Sequence, residues 1–177
     1  MQLLVLVGLT LILCAVGWRY LRPAPRRVEG STAPPSTLAE YRNHLNGVTG
    51  VEADAQWTDC PCCGCPTVDV ASPVADCAVC DWLHDPSATP QAIERARENF
   101  VQHGTADPQQ YTEEWFGPPP GAREIAARRA IAAASDAARA GTMELTDAWS
   151  TIADQLAVLD EEAGKRIDAL ERRFAEE

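Results

Sequence analysis

Between Asp59 and Cys65 the chain reads DCPCCGC, and from Asp76 to Trp82 it reads DCAVCDW. A thiolate is a soft ligand, and a C-x-x-C turn aims two sulfurs at one point. Two such turns joined by a connector therefore build a closed tetrahedral metal site. Cys60 with Cys63, and Cys77 with Cys80, have this spacing, and thirteen residues separate the two turns, close to the connector lengths of four-cysteine zinc sites. The predicted ligands are Cys60, Cys63, Cys77 and Cys80, and the expected cofactor is zinc, although four sulfurs also suit iron. Pro61 pre-sets the first turn, and Gly64 permits the left-handed backbone needed after its second sulfur.

Other chemistries are open to the same residues. Cys62 and Cys65 form an overlapping C-x-x-C, a candidate redox pair, and disulfides would form if the segment lay in an oxidising compartment. A reactive thiolate needs a nearby cation or a helix N-terminus. No Arg or Lys occurs from Asn43 to Glu94, and eight acids do, which disfavours a catalytic thiol. Cys62 is then expected to fill a small apolar gap or to let the metal change register. His84, four residues past Cys80, is a weaker candidate ligand than a solvated loop histidine. Trp57 and Trp82 flank the turns and are expected to shield the sulfurs, with partner recognition as the alternative. Arg97 and Asn99 are expected to bond the knuckle backbone. Four cysteines close the coordination shell, so a hydrolytic metal is not expected. No nucleotide-binding or hydrolase motif occurs. Nucleic acid is excluded as a partner, because phosphate binding needs several cationic contacts and this module is acidic.

These ligands need elements to hold them. A short helix with Ser36 or Thr37 as N-cap, carrying Leu38, Tyr41 and Leu45 on one face, is predicted to stop at Gly47. From Val48 to Trp82 no helical period appears. The connector is expected to be a two-stranded excursion, with β-favouring residues at Thr67 to Val70 and a turn near Ser72–Pro73. QAIERARENFVQHG predicts an amphipathic helix with Ile93, Ala96, Phe100 and Val101 inward, closed by Gly104. GPPPG at 117–121 is read as a boundary. An alanine-rich helix over Ala122–Ala140 follows, with Gly141 just past its end. The last segment repeats apolar residues from Leu145 through Trp149, Ile152, Leu156, Leu159, Ala163, Ile167 and Leu170 to Phe174, a stripe that must be covered. The alanine helix folding back on it as a hairpin is the leading expectation, and self-association or a partner helix is the alternative.

At the other end, Leu3 to Trp18 is uncharged and apolar, at the short end of a membrane-crossing helix. Arginines 19, 22, 26 and 27 all follow it, so a retained anchor with a cytoplasmic body is expected. The organisation expected is an anchor over 1–21, a Pro-rich linker over 22–36, a short helix with the cysteine module and its helix over 37–107, a Pro-rich break over 108–121 and a helical hairpin over 122–177. The fold class is mostly α, with a small irregular β module of zinc-ribbon type. Net charge of −11 on 177 residues keeps the body off anionic lipid and nucleic acid.

Cys60-Pro61-Cys62-Cys63-Gly64, then Cys77, Val79, Cys80, Trp82 and Asp85, then Ala96, Arg97, Asn99 and Phe100 resemble the bacterial cysteine-rich CPCC family over about 59–107. The resemblance implies a zinc-binding module without an established activity. Cys65, Ala78 and Leu83-His84 depart from the family pattern, which puts in doubt any role of its acidic pair after the tryptophan. The function expected is a membrane-anchored adaptor or scaffold with a structural four-cysteine module and an acidic helical interaction arm. The alternatives are a thiol redox protein using Cys62 and Cys65, or an immunity-type protein binding a basic partner.

Overall fold

A computed structural model describes residues 36–45, 57–69, 76–111 and 117–176. They all fall in one compact unit spanning residues 31–177. The architecture is mostly helical with one two-stranded sheet: α1 (Leu38–Leu45), β1 (Trp57–Thr58), β2 (Val68–Asp69), α2 (Pro90–His103), a 3-10 turn (Pro108–Gln110), α3 (Ala122–Arg139) and α4 (Leu145–Glu176). Among the described residues no helix is long and apolar enough to cross a membrane. The predicted anchor Leu3–Trp18, the Pro-rich linker up to residue 35 and the turn at Ser72–Pro73 lie outside the described residues.

Each helix begins and ends for a local reason. At α1 a capping box forms: Thr37 Oγ1 accepts from the Glu40 amide at 3.2 Å, while Glu40 Oε2 accepts from the Ser36 and Thr37 amides at 2.7 and 3.3 Å. Thr89 caps α2 through the Ala92 amide, Pro90 takes the first helical position, and Gly104 closes it at φ 70°. A Cβ at Gly104 would stand 3.0 Å from the Ile125 Cα, so glycine also lets the end of α2 approach α3. The end of α3 is a Schellman motif: Gly141 (φ 68°) donates to Ala138 O and Thr142 N–H to Ala137 O, at 3.1 and 2.9 Å.

α3 folds back on α4, giving the predicted hairpin. Ala127, Ile131, Ala134 and Ala138 of α3 and Ala148 and Ile152 of α4 are buried, the alanines allowing close approach of the two backbones. Arg123 near the start of α3 reaches Glu161 and Glu162 midway along α4, whose first half packs on the later part of α3, so the pair is antiparallel. Tyr41 of α1 meets Trp149 of α4 edge to face, ring centres 6.5 Å apart.

Three readings are refined. The GPPPG break at 117–121 does not divide the packing: Ile131, Ala132 and Ile152 share one core with the six cysteines from Cys60 to Cys80, with Val79 and with Phe100. β1 and β2 flank the first knuckle, pairing Trp57 with Asp69 and Thr58 with Val68; β2 falls in the connector, within the expected Thr67 to Val70 stretch, but its partner β1 precedes the first knuckle. Finally, α2 buries Ala96 and Phe100, but Val101 is 63% exposed, because the helix contacts the core along a stripe narrower than the sequence pattern.

Candidate metal centre

The two C-x-x-C turns fold alike. In the first, the Cys60 amide donates to Cys65 O at 2.8 Å and the Gly64 amide to Cys60 O at 2.9 Å. In the second, the Cys77 amide donates to Trp82 O and the Asp81 amide to Cys77 O, both at 2.9 Å. The residue after the second sulfur is left-handed in both, Gly64 at φ 78° and Asp81 at φ 58°. A ladder closes each base, β1 with β2 around the first turn and the bridge Asp76 to Leu83 around the second.

This duplicated geometry brings the four predicted ligands together. The sulfurs of Cys60, Cys63, Cys77 and Cys80 all lie within 4.8 Å of one another, and all four residues are buried. Across the knuckles Cys60 Sγ stands 3.6 Å from Cys80 Sγ, and Cys63 Sγ 3.5 Å from Cys77 Sγ. A tetrahedron with metal–sulfur bonds of about 2.3 Å has edges of about 3.8 Å, so these separations suit one ion. They are far from the roughly 2 Å of a disulfide bond. The described cysteines are all free thiols. The four sulfurs are thus positioned to bind a metal ion.

The sulfurs are not equivalent. Thr67 Oγ1 lies 2.8 Å from Cys77 Sγ, and the Val79 amide donates to the same sulfur at 3.4 Å. Cys77 is held well below the usual thiol range, chiefly because the Cys60, Cys63 and Cys80 thiols hydrogen-bond to it and Thr67 adds to them. Cys60 is pushed up, first by Cys63 and then by Cys77, and Cys80 is pushed up, first by Cys60.

The other candidates fall into place around this centre. Cys62 Sγ is turned away to Ala96 O at 3.3 Å, and Cys65 is fully buried. His84 stands outside the sulfur cluster. Trp82 packs against the cysteine core, and Trp57 is half-buried on β1. Arg97 bonds the first knuckle through Pro61 O at 2.9 Å, as expected, whereas Asn99 reaches Ala106 O, beyond the helix.

Two arginines of α3 were not anticipated as part of the site. Arg139 Nη1 bonds Gly64 O at 3.0 Å and Asp59 Oδ2 at 2.6 Å, on the surface. Arg128, whose side chain is 7% exposed, bonds Val79 O at 3.1 Å and pairs with Asp81. The buried Glu124 accepts from Arg128 Nη2 at 2.9 Å and pairs through its other oxygen with Arg166 of α4. The Tyr111 hydroxyl bonds Asp81, and the Arg166 guanidinium lies over its ring at 5.9 Å. Burial raises the Tyr111 phenol, and the Asp81 carboxylate adds to this. Burial works to lower Arg128, but the Asp81 carboxylate and its neighbours outweigh it and the guanidinium ends raised, a fixed cation. The sequence signal was Arg128 and Arg139 three turns apart on one face of an alanine helix.

No family model, curated protein or solved structure matches this chain.

Proposed function

We propose that the chain is a membrane-tethered scaffold in which a structural zinc ion fixes the cysteine module and, through it, the seat of an acidic helical arm. One observation carries the reading: four buried sulfurs converge from two like knuckles, the number that fills a tetrahedral shell. The knuckles pack into the same core as α3 and α4, so a metal there stabilises more than its own turns. The motif resemblance to CPCC proteins supports zinc, as does the closed sulfur set. The apolar Leu3–Trp18 segment followed by four arginines supports a tether with the body on the cytoplasmic side. Ile167 on α4 is 54% exposed, which supports an arm that meets a protein partner or a second copy. A redox role for Cys62 and Cys65 finds less support, since one thiol is committed to Ala96 O and the other is fully buried.

The test is metal analysis of the full chain purified in detergent from native membranes. One zinc per chain, lost on chelation together with helical content, is the expected result. Iron in its place, or a metal-free chain that unfolds as cooperatively, contradicts the reading.

A further inference from the structure

We infer that Thr67 is a positioning residue for the metal, holding Cys77 as the anchoring thiolate while the first knuckle is the side that opens. The inference rests on the metal-site reading above and adds an order among the four ligands. Thr67 is 3% exposed, and its hydroxyl stands 2.8 Å from Cys77 Sγ. A metal-bound thiolate has no proton to give, so in the loaded site the hydroxyl donates and the sulfur accepts. The Val79 amide donates to the same sulfur. Among the described residues no hydroxyl or amide donor reaches the sulfurs of Cys60, Cys63 or Cys80 in this way. Four thiolates and one divalent ion carry two net negative charges, and burial makes each donor to that charge count. Both donors fall on one sulfur of the second knuckle.

The holding of the knuckles has the same polarity. The second is fixed by the buried Arg128 with Asp81, whereas the first relies on Arg97 and Arg139, whose side chains are 54% and 38% exposed. Cys77 and Cys80 are fully buried, while Cys63 keeps 7% of its surface. Among the described residues neither sulfur of the first turn receives such a donor, and that turn has the weaker support and the better access, so it is where the ion is released or handed to a competing thiol.

The experiment loads the full chain with cobalt(II) and compares the wild type with Thr67→Val and Thr67→Ser. Thr67→Val keeps the side-chain shape and removes the donor. It is expected to weaken cobalt binding about 10- to 100-fold, the usual cost of losing an outer-shell partner. It should also move the sulfur-to-cobalt charge-transfer band to longer wavelength, because the Cys77 thiolate becomes more electron-rich. Thr67→Ser should restore both. An unshifted band with wild-type affinity in Thr67→Val overturns the inference and leaves the metal site standing, whereas a wild type that takes up no cobalt overturns both. As a check that does not depend on the folding of a variant, the cadmium-113 form of the wild type should show a proton–cadmium coupling at the Thr67 hydroxyl proton, and absence of that coupling contradicts the inference.

Discussion

The first and second knuckles have the same backbone hydrogen bonds and the same left-handed fifth position, yet they are held differently. Gly64 adopts its φ of 78° without steric cost, and its surroundings are a surface arginine and a surface aspartate. Asp81 adopts φ 58° with a Cβ, and its carboxylate is tied to a buried guanidinium and a tyrosine hydroxyl. A backbone conformation can thus be supplied by residue choice alone or by tertiary bonds that outweigh a local penalty. The second solution couples the metal turn to α3, and through Glu124 and Arg166 to α4.

The comparison is sharpened first at the ligands. Removing any sulfur should cost more metal affinity than the roughly 10- to 100-fold of an outer-shell change. Cys77→Ser is expected to exceed Cys63→Ser in competition titrations; the reverse order would break the asymmetry. Next come the two arginines. Arg128→Met leaves the buried Glu124 short of a partner and should cost about 3–5 kcal/mol in denaturant unfolding of the metal-loaded chain. The same change at the exposed Arg139 should cost no more than about 1 kcal/mol. Equal losses would show that the two supports are not different in kind.

Gly64→Ala should cost about 1–2 kcal/mol, since the backbone there is left-handed. The added Cβ also meets Asp136 Oδ1 at 3.1 Å and Arg139 Nη2 at 3.2 Å, side-chain ends that can shift. The smallest effect is at alkaline pH. Tyr41, which shares a small cleft with Asp59, Pro66 and Arg139, is pushed by burial from 10.0 up to about 12. Because the fold favours the neutral phenol, its stabilisation is intact below pH 10 and is lost as pH rises through about 12. Ultraviolet difference titration should show a late phenolate step that Tyr41→Phe removes; ordinary ionisation near 10 would contradict the burial.

The ligand set, Gly64, the Gly104 end of α2 and the alanine-to-stripe pairing of α3 with α4 were legible because each follows from spacing or local backbone demand. The supports of the knuckles were not. Read locally, the module has no cation from Asn43 to Glu94, whereas folding brings Arg97, Arg128 and Arg139 onto its carbonyls. Those bonds span 36 to 75 positions of sequence, beyond the reach of any periodic pattern. Asp81 escaped notice for a related reason. An aspartate after a cysteine makes no demand for positive φ, and only its partners Arg128 and Tyr111 explain the conformation. β2 lies within the β-favouring Thr67 to Val70 stretch, whereas its partner β1 was missed because it is two residues long and depends on the turn it closes.

The central claim is that sulfurs 60, 63, 77 and 80 share one metal ion. X-ray absorption at the zinc edge of the full chain, as purified, tests it most directly. The account predicts a first shell of four sulfurs at about 2.3 Å and nothing else. A shell with fewer than four sulfurs, or one containing nitrogen or oxygen, would contradict it.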